Sequence, residues 1–471
     1  MVETKHETHN EAPKARMQVK HPYLAMMGLY LGGFTGMYSE TALNIALPSI
    51  SAQLGVDISL TQWLVVGYML VIGLIMPFSS LLSKWFSARS ITLLALCAFI
   101  VGAVMSGLAS GFALVLVGRA LQGVGTGLVL PLMFSMILEV VPPHKIGATM
   151  GLNALIIMGA SAIGPTLAGF LIGAFSWRTN FASFVVVLIV AIAVELKFGV
   201  NPYELTRPAI DLLSVMTSCF GFGGIVFAVG VASMFGWASA PVLVGLAVGV
   251  VCLVVYVRRQ TGMKEPVINM QIFCQRGYAV GVLCVTLNFG ITLAAMFILP
   301  QFYQNAMGLS AASAGALMLP AGVINMIVSV VAGNLFDKVG ARIPALVGFA
   351  LSICALVGLI SVSVSAPVAF VVACHVLLMV GVPLAMSPAQ TYALSSLPAQ
   401  LSTDGSAMLN TLQQVFGASA TALATFLLAT GQAVSGGEGA VAFAVGSHFG
   451  FALALVFAVV ALVAATRIRA R

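Results

Sequence analysis

The sequence predicts an all-α polytopic membrane protein, on the basis of its composition, the lengths of its apolar segments and the placement of its basic residues. Of the 471 residues, 60% are hydrophobic and 7% are charged, and the mean hydropathy is +1.09. A soluble domain has roughly a quarter charged residues. This chain therefore has too few charges to cover a water-exposed surface, which excludes soluble enzymes and nucleic-acid-binding proteins.

The apolar segments have the length of membrane-spanning helices. A hydrocarbon core of about 30 Å requires about 20 helical residues for each crossing. Dividing the chain at charges, prolines and clusters of Gly, Ser and Asn predicts fourteen spans. They cover residues 23–46, 60–81, 90–109, 112–138, 146–174, 180–198, 210–232, 240–258, 278–302, 312–336, 343–364, 367–393, 403–428 and 447–466.

The basic residues give an independent test of that count, because Lys and Arg concentrate in short cytoplasmic loops. With a cytoplasmic N-terminus, every Lys and Arg falls on the cytoplasmic side except Arg119 and Arg178. One miscounted helix would scatter these charges over both sides. The sequence therefore predicts a multi-pass protein of the cell (cytoplasmic) membrane with both termini in the cytoplasm. The net charge of +7 is explained by these loops without a polyanionic partner.

The predicted spans divide into two halves. We predict a cytoplasmic tail at 1–22, a six-helix bundle at 23–198, a linker with two extra transmembrane helices at 199–277, and a second six-helix bundle with a short basic tail at 278–471. Loop segments 80–89 and 333–342 follow the second span of each half and are weakly similar to each other. Repeated halves are typical of secondary transporters, whose substrate site lies between them near mid-membrane.

Three segments carry recognisable motifs. Residues 333–342 fit G-x-L-x-D-R/K-x-G-R/A-R/K, residues 119–125 fit R-x-x-Q-G-x-G, and residues 159–169 contain G-P-x-x-G. On these motifs the chain resembles the major facilitator superfamily, specifically its fourteen-span drug:proton antiporter family of the EmrB/QacA type. The resemblance covers nearly the whole chain and implies the major facilitator fold. The residues that it marks as conformational motifs are Gly159, Gly164, Pro165, Gly169, Gly333, Asp337, Lys338, Gly340 and Arg342.

The chain departs from the family pattern in two places. Ser80 and Ser83 stand where the first-half loop motif usually has Gly and Asp. In the first-span motif at 38–48, Ser39 occupies the usual Asp position and the acid follows one residue later, as Glu40. The G-P-x-x-G motif of span 5 is associated with exporters of the superfamily. The resemblance therefore implies outward transport.

Glu40 is the one acid that the prediction places within a span. Glu139, Glu195 and Asp211 fall at predicted cytoplasmic helix ends, where water solvates them. Burying an ionised carboxylate costs several kcal/mol, so such residues are rare in spans and usually functional. Desolvation favours the protonated carboxyl, and we predict Glu40 as a proton carrier. The alternative is a carboxylate that is permanently paired and only holds helices together.

Arg119 is the one cation within a predicted span, and its depth matches that of Glu40. Arg119 lies eight positions from Gly111, at the outer end of its span, and Glu40 lies eight positions from Pro48, at the outer end of span 1. At 1.5 Å per residue, each is about 12 Å from the outer end of its span. We predict that Glu40, Arg119 and Gln122 form a proton-coupling group, in which a nearby arginine favours the ionised carboxylate. A purely structural pair, or an arginine that binds backbone carbonyls, is the alternative.

We expect the substrate cavity to be lined by polar and aromatic side chains from the inner helices of both halves. The candidates are Asn44, Trp63, Tyr68, Asn153, Asn288, Gln301, Tyr303, Asn325, Gln390, Asn410, Gln413 and Gln414. His375 lies in span 12, and we expect it to be hydrogen-bonded and functionally silent. Some of the 23 methionines offer an adaptable apolar surface.

No catalytic, nucleotide, metal or other cofactor site is predicted. The glycine run at 123–127 has no Walker lysine, so we expect transport to draw on protons rather than ATP. The expected partners are a small-molecule substrate and the lipid bilayer, with no nucleic acid.

The expected function is a proton-coupled antiporter that exports hydrophobic, often cationic, compounds. A dedicated exporter of one metabolite, lipid or peptide stays open, and a proton symporter that imports a nutrient is disfavoured by the span 5 motif. A membrane-embedded hydrolase would need a nucleophile beside a His or paired acids, which this pattern lacks.

Overall fold

The computed structural model describes residues 21–142, 146–202, 205, 211–263, 266, 268–398, 401–437 and 439–469. These residues are helical, with turns between the helices, and none of them lies in a β-strand. The predicted N-terminal tail falls almost entirely outside this range.

Fourteen helices of 19 or more residues make up the described structure. They are α1 Met27–Leu54, α2 Trp63–Trp85, α3 Ala88–Gly107, α4 Phe112–Val140, α5 Ile146–Ala174, α6 Arg178–Phe198, α7 Leu212–Phe235, α8 Ala240–Gly262, α9 Arg276–Gln301, α10 Ala311–Val339, α11 Arg342–Ile360, α12 Val368–Ser395, α13 Ser402–Val434 and α14 Gly439–Ala465. Short helical turns lie at Pro22–Ala25, Ile58–Thr61 and Met270–Cys274, and a π-helical turn at Phe302–Ala306 continues α9.

Twelve segments of the described chain, rather than the predicted fourteen, are long and apolar enough to cross a membrane. The helices missing from this set are α1 and α2. The polar residues Thr35, Ser39, Glu40, Thr41 and Asn44 lower the hydropathy of α1, although all five are buried. In α2 the described apolar segment is Trp63–Met76, which is shorter than one membrane crossing. Composition of the described residues therefore supports twelve spans, two fewer than the sequence predicts.

Local sequence sets several helix ends. Ser87 and Ser310 precede α3 and α10, and each side chain accepts a hydrogen bond from the backbone N–H three residues later, which caps the helix. α1 ends at Gly55, with φ of 64°, and α10 ends at Gly340, with φ of 74°. Both conformations lie in the left-handed region that favours glycine, so Gly340 gives the loop motif its sharp turn.

The helices pack as two groups, α1–α6 and α9–α14. In the first group α1 contacts α4, α5 and α6, and in the second α9 contacts α12, α13 and α14. Two extensive contacts join the groups, one between α5 and α10 and the other between α2 and α13. We call these the α5–α10 seam and the α2–α13 seam.

The α5–α10 seam depends on residues without side chains. A Cβ atom on Gly169 would lie 2.5 Å from the carbonyl oxygen of Ala311, and one on Gly315 would lie 2.6 Å from that of Pro165. Thr166 adds a hydrogen bond to the carbonyl of Gly315, at 2.9 Å. Small residues permit such close helix approach. The glycine pattern of span 5 predicts packing against the first or second helix of the other half, and α10 is that second helix.

The seam holds the two halves together at only one end. We call the end that carries Arg89, Lys338 and Arg342 the basic end, and the other the outer end. The close contacts of α5 fall between its midpoint and Gly173 at the outer end, where α10 begins at Ala311. At Gly159, nearer the basic end, a Cβ would meet only the sulfur of Met326, at 3.7 Å. Along this seam, α5 and α10 are therefore in close contact at the outer end and farther apart at Gly159, nearer the basic end.

The hairpin of α7 and α8 lies beside the other seam. α7 contacts both α2 and α13, whereas α8 packs mainly on α7. At its basic end the carboxylate of Asp211 accepts two hydrogen bonds from Arg259, at 2.7 and 2.8 Å. These bonds, with one from Ser214, hold the pKa of Asp211 at about 2. The pair therefore stays ionised near neutral pH and joins the two helices of the hairpin.

Candidate functional site

A cavity of about 480 Å³ lies between the two halves. Helices α1 and α5 line it from the first half, and α9, α10 and α12 line it from the second. Each helix contributes one face: on α12 the lining positions are His375, Met379, Val382, Pro383, Met386, Ser387 and Gln390, spaced as residues on one side of an α-helix. A cavity between repeated halves is the placement typical of a secondary-transporter site.

The wall of the cavity is mainly apolar and rich in methionine. Six methionines line it: Met37, Met296, Met318, Met326, Met379 and Met386. Methionine is flexible and polarisable, so such a wall can adapt to apolar bodies of different shape. Several hydroxyls of the lining, those of Ser161, Thr292 and Ser329, donate to a carbonyl of their own helix four residues earlier.

The cavity extends along α12 toward the basic end. His375 lies seven residues into this helix from its outer end, and Gln390 lies fifteen residues further on, or about 22 Å. Leu155 and Asn334 also line the cavity and are exposed. The cavity is therefore open toward the basic end and closed toward the outer end by the α5–α10 seam.

Glu40 is the carboxyl group of this cavity. It lies on α1 beside Met37 and Thr41 in the lining, and 2% of its surface is exposed. Its Oε2 atom is buried and has no hydrogen-bond partner among the described residues. No other acid lines the cavity in the described part of the chain. A buried carboxyl without a fixed protein partner can exchange a proton for another cation without first breaking an ion pair.

Arg119 lies outside the cavity, in the interior of the first half. Its Nε donates to the carbonyl of Leu64 at 2.9 Å, and its Nη1 donates to Ser39 Oγ at 2.5 Å and to Gln122 Oε1 at 2.7 Å. The guanidinium carbon lies 3.8 Å from the ring centroid of Tyr68. Such a hydrogen-bonded, ring-stacked guanidinium is how a charge is held in a dry interior.

The predicted contact between Glu40 and Arg119 is indirect. Ser39, not Glu40, accepts the hydrogen bond from Arg119, and in the described chain no ion pair joins the two charges. Consecutive residues of an α-helix point about 100° apart, so Ser39 faces α4 while Glu40 faces the cavity. The two charges still interact electrostatically. Gln122 bonds to both Arg119 and Ser106 and so belongs to the arginine cluster.

The predicted substrate-binding residues separate into two groups in the structure. Asn325 and Gln390 line the cavity. The other ten lie outside the lining, and several are held within the protein: Tyr68 donates to the carbonyl of Gly36, Asn288 to that of Val382 and Gln301 to that of Phe297. The residues outside the lining are Asn44, Trp63, Tyr68, Asn153, Asn288, Gln301, Tyr303, Asn410, Gln413 and Gln414.

Two more of these ten residues lie at contacts between helices. Trp63 packs against Phe227 of α7, with ring centroids 6.2 Å apart, and its ring fills the space beside Gly230. Gln414 lies against Gly73 in the α2–α13 seam, where a Cβ on that glycine would be 3.3 Å from the Cβ of Gln414. These side chains position the hairpin and the seam rather than the cavity wall.

Two titratable residues differ from their sequence expectations. His375, expected to be hydrogen-bonded, lines the cavity, and neither ring nitrogen has a partner in the described structure. Glu195, expected to be solvated at a helix end, is 3% exposed. Its carboxylate packs against Gly28 of α1, which has no side chain to fill that space. The carboxylate also interacts electrostatically with Arg89. Burial depends on the neighbouring helix, so its position in its own helix did not reveal it.

The conformational motif residues lie in two places. Gly164, Pro165 and Gly169 lie in the outer half of α5, and Gly159 marks the point where the close packing ends. Gly333 lines the cavity, Lys338 is exposed at the end of α10, Gly340 forms the turn and Arg342 begins α11. The side chain of Asp337 lies outside the described part of the structure.

Comparison with known proteins identifies relatives for most of the chain. The model of the family described as Major Facilitator Superfamily matches residues 29–210 and 209–422. The chain is 38% identical over 411 residues to the lincomycin resistance protein LmrB of Listeria monocytogenes, covering 87% of each chain. It is 39% identical over 409 residues to LmrB of Bacillus subtilis, covering 86% of this chain and 85% of the relative.

More distant relatives share the fold. The multidrug export protein EmrB of Haemophilus influenzae is 26% identical over 415 residues, covering 87% of this chain and 81% of that protein. Among solved structures, the peptide transporter POT in complex with sulfate has a TM-score of 0.68 at 17% identity, covering 95% of each chain. The D-xylose-proton symporter has a TM-score of 0.67 at 16% identity, covering 95% of this chain and 98% of that one. At these identities the structural likeness concerns the fold alone.

Proposed function

The chain belongs to the Major Facilitator Superfamily, and we propose that it is a proton-coupled antiporter that exports hydrophobic, often cationic, small molecules. Family membership and its many apolar helices make it a multi-pass membrane transporter rather than an enzyme. The relatives named for lincomycin resistance and multidrug export support drug efflux and make lincomycin the first compound to test. The observation that carries proton coupling is Glu40, a buried carboxyl in the wall of the central cavity, whose Oε2 has no hydrogen-bond partner in the described part of the chain.

The proposed cycle follows from the charge and the shape of the cavity. In the state described here the cavity opens toward the basic end, which we assign to the cytoplasm because basic loops remain on that side. An apolar cation enters, its body contacts the methionine wall, and its charge replaces the proton on Glu40. Contact at the basic end and separation of the α5–α10 seam would then expose the site outward. There a proton binds Glu40 and the substrate leaves.

The membrane topology completes this proposal. We propose that α1 and α2 cross the membrane with the other twelve helices, because both are long and α1 packs against α4, α5 and α6. The fourteen-span arrangement of the EmrB/QacA type would then hold, with both termini on the cytoplasmic side. The polar residues of α1 face helices and the cavity, so its low hydropathy does not require it to lie outside the bilayer.

Two rival functions predict different transport. A dedicated exporter would share the mechanism but move one compound, so a panel of cationic dyes, lincomycin and quinolones separates it from a multidrug pump. A symporter would move substrate in the same direction as protons. An imposed pH gradient across proteoliposomes therefore distinguishes export from import by the direction of substrate movement.

The direct test of Glu40 is the Glu40→Gln variant in proteoliposomes. The amide preserves the shape but cannot exchange a proton, so we expect pH-driven efflux to be abolished in a protein that still folds. Glu195→Gln is the matched control, because Glu195 is also a buried acid but lies outside the cavity lining, and it should retain coupling. Full coupling in Glu40→Gln contradicts the proposal.

A further inference from the structure

The cavity has a second buried polar group that the proton cycle does not use. His375 is 1% exposed and lines the cavity, and both Nδ1 and Nε2 lack a hydrogen-bond partner among the described residues. Buried polar atoms are almost always paired, and an exception needs an explanation. A ligand in the cavity can provide the missing partner.

The other polar residues of the lining are less suited to this role. Thr41 is buried but donates within its own helix, and Asn325 contacts the sulfur of Met379 at 3.4 Å. Gln390 is half-buried and Asn334 is exposed. Both lie toward the open basic end of the cavity. Glu40 and His375 are therefore the two lining groups that combine full burial with unpaired polar atoms.

These two groups lie on different halves of the transporter. Glu40 belongs to α1 of the first half and His375 to α12 of the second, and the methionines of the shared cavity wall belong to α1, α9, α10 and α12. A ligand that contacts both has a cationic end, an apolar body and a hydrogen-bonding end. Because it spans the two halves, its binding depends on their relative position.

We propose that His375 is a substrate-binding residue that hydrogen-bonds the polar end of an amphipathic monocation whose charged end binds Glu40. This inference rests on the proposed function and adds the substrate class: an apolar cation carrying a hydroxyl or amide group away from its charge. A neutral imidazole has one donor and one acceptor nitrogen, so a hydroxyl can pair with either. Apolar cations without such a group use Glu40 and the apolar wall alone.

The test compares cations that differ only in one hydroxyl. We would measure binding of a series of ω-hydroxyalkyl triphenylphosphonium cations and of the matching alkyl cations to the purified protein. Their charge is permanent, so protonation of the ligand does not enter. The wild type should prefer the hydroxylated member of at least one pair by about fivefold, as one net hydrogen bond provides. His375→Phe should lose this preference while binding the alkyl cations as the wild type does.

Two further variants make the result specific. His375→Gln keeps a donor and an acceptor and should restore part of the preference. Cys374→Ala, one residue away and outside the cavity lining, should leave it unchanged. Unchanged alkyl-cation binding by His375→Phe also shows that this variant is folded.

The outcomes separate this inference from the proposed function. Binding without a hydroxyl preference in the wild type, or a preference retained in His375→Phe, overturns the role of His375 alone. If His375→Phe fails to fold, His375→Ala takes its place: loss of the preference in that variant, with the preference kept in Cys374→Ala, supports the inference, and a preference retained in His375→Ala overturns the role of His375 alone. Failure of the wild type to bind any of the cations overturns the proposed function and this inference together.

Discussion

At the scale of single residues, one step along α1 separates two roles. Ser39 turns toward α4 and accepts a hydrogen bond from Arg119, whereas Glu40 turns toward the cavity and has an unpaired oxygen. In the drug:proton antiporter family that the first-span motif resembles, the acid usually stands at the position of Ser39. The one-residue displacement moves the carboxyl group of this chain away from the arginine and into the substrate space.

Arg119 should support coupling through structure and charge together. In Arg119→Ala the carbonyl of Leu64, Ser39 and Gln122 lose a buried donor, at about 1–3 kcal/mol for each group left unsatisfied. We expect a lower melting temperature and weaker pH-driven transport. Arg178→Ala is the control, because this arginine bonds Gln53 and the carbonyl of Ala109 at the outer end. Unchanged coupling and stability in Arg119→Ala would contradict this expectation.

The limits of sequence reasoning at this scale follow from particular side chains. The buried position of Glu40 was predictable, because an acid in an apolar segment of span length has few other places to go. Which face it occupies was not, because the segment is polar on several sides. The cavity candidates Asn288 and Tyr68 satisfy backbone carbonyls instead. Polarity within a span indicates an interior position, and the partner helices decide whether that position borders the cavity.

At the scale of helices, the α5–α10 seam is the element whose packing the sequence indicated best. Ala162, Gly169 and Gly173 of α5 lie along one side, which α10 approaches closely toward the outer end, whereas Gly164 packs against Thr41 of α1. The sequence did not indicate that the close contact would end near Gly159, because this depends on the relative tilt of the two halves. The lack of charged residues within the spans of the α7 and α8 hairpin predicts a structural or lipid-contacting part for it, and the contacts of α7 with α2 and α13 place it beside the α2–α13 seam.

Two glycines of α5 allow a matched test of the seam. A Cβ on Gly169 would be 2.5 Å from a backbone oxygen, whereas one on Gly159 would meet only a methionine sulfur at 3.7 Å. We expect Gly169→Ala to lower stability by about 1–3 kcal/mol, as overpacking does, and to reduce the transport rate. Gly159→Ala should leave both near the wild-type values in thermal unfolding and efflux assays. Equal effects of the two substitutions would show that close approach at the outer end is not required.

At the scale of the whole molecule, two helix groups enclose one cavity that is closed at the outer end and open at the basic end. The weak similarity of loop segments 80–89 and 333–342 predicts a two-part division, and the distribution of lysine and arginine predicts which end faces the cytoplasm. The number of spans was less secure, because α1 buries its polar residues inside the protein and hydropathy cannot distinguish that arrangement from a helix in water. The direction of opening has no sequence signal, since the same chain must adopt both states.

A disulfide across the outer end tests whether this closure opens during transport. A Cβ on Gly173 would lie 3.0 Å from the Cβ of Ala312, so the two helices must move apart by about 0.5 Å to reach the separation of about 3.5 Å at the lower end of the range for disulfides. In a background without the seven natural cysteines, Gly173→Cys with Ala312→Cys should cross-link under oxidation and stop efflux, and reduction should restore it. Each single substitution serves as a control. Full efflux in the cross-linked protein would mean that the outer end does not open.

The central claim is that a proton and a cationic substrate compete for Glu40, and proton release on binding measures it most directly. Purified protein in weakly buffered solution would be mixed with tetraphenylphosphonium while a pH-indicator dye records released protons. The account predicts release from the wild type at pH values where Glu40 is protonated, and none from Glu40→Gln when the same amount of cation is bound. Equal release from the two proteins, or binding to the wild type without release at any pH, would contradict it.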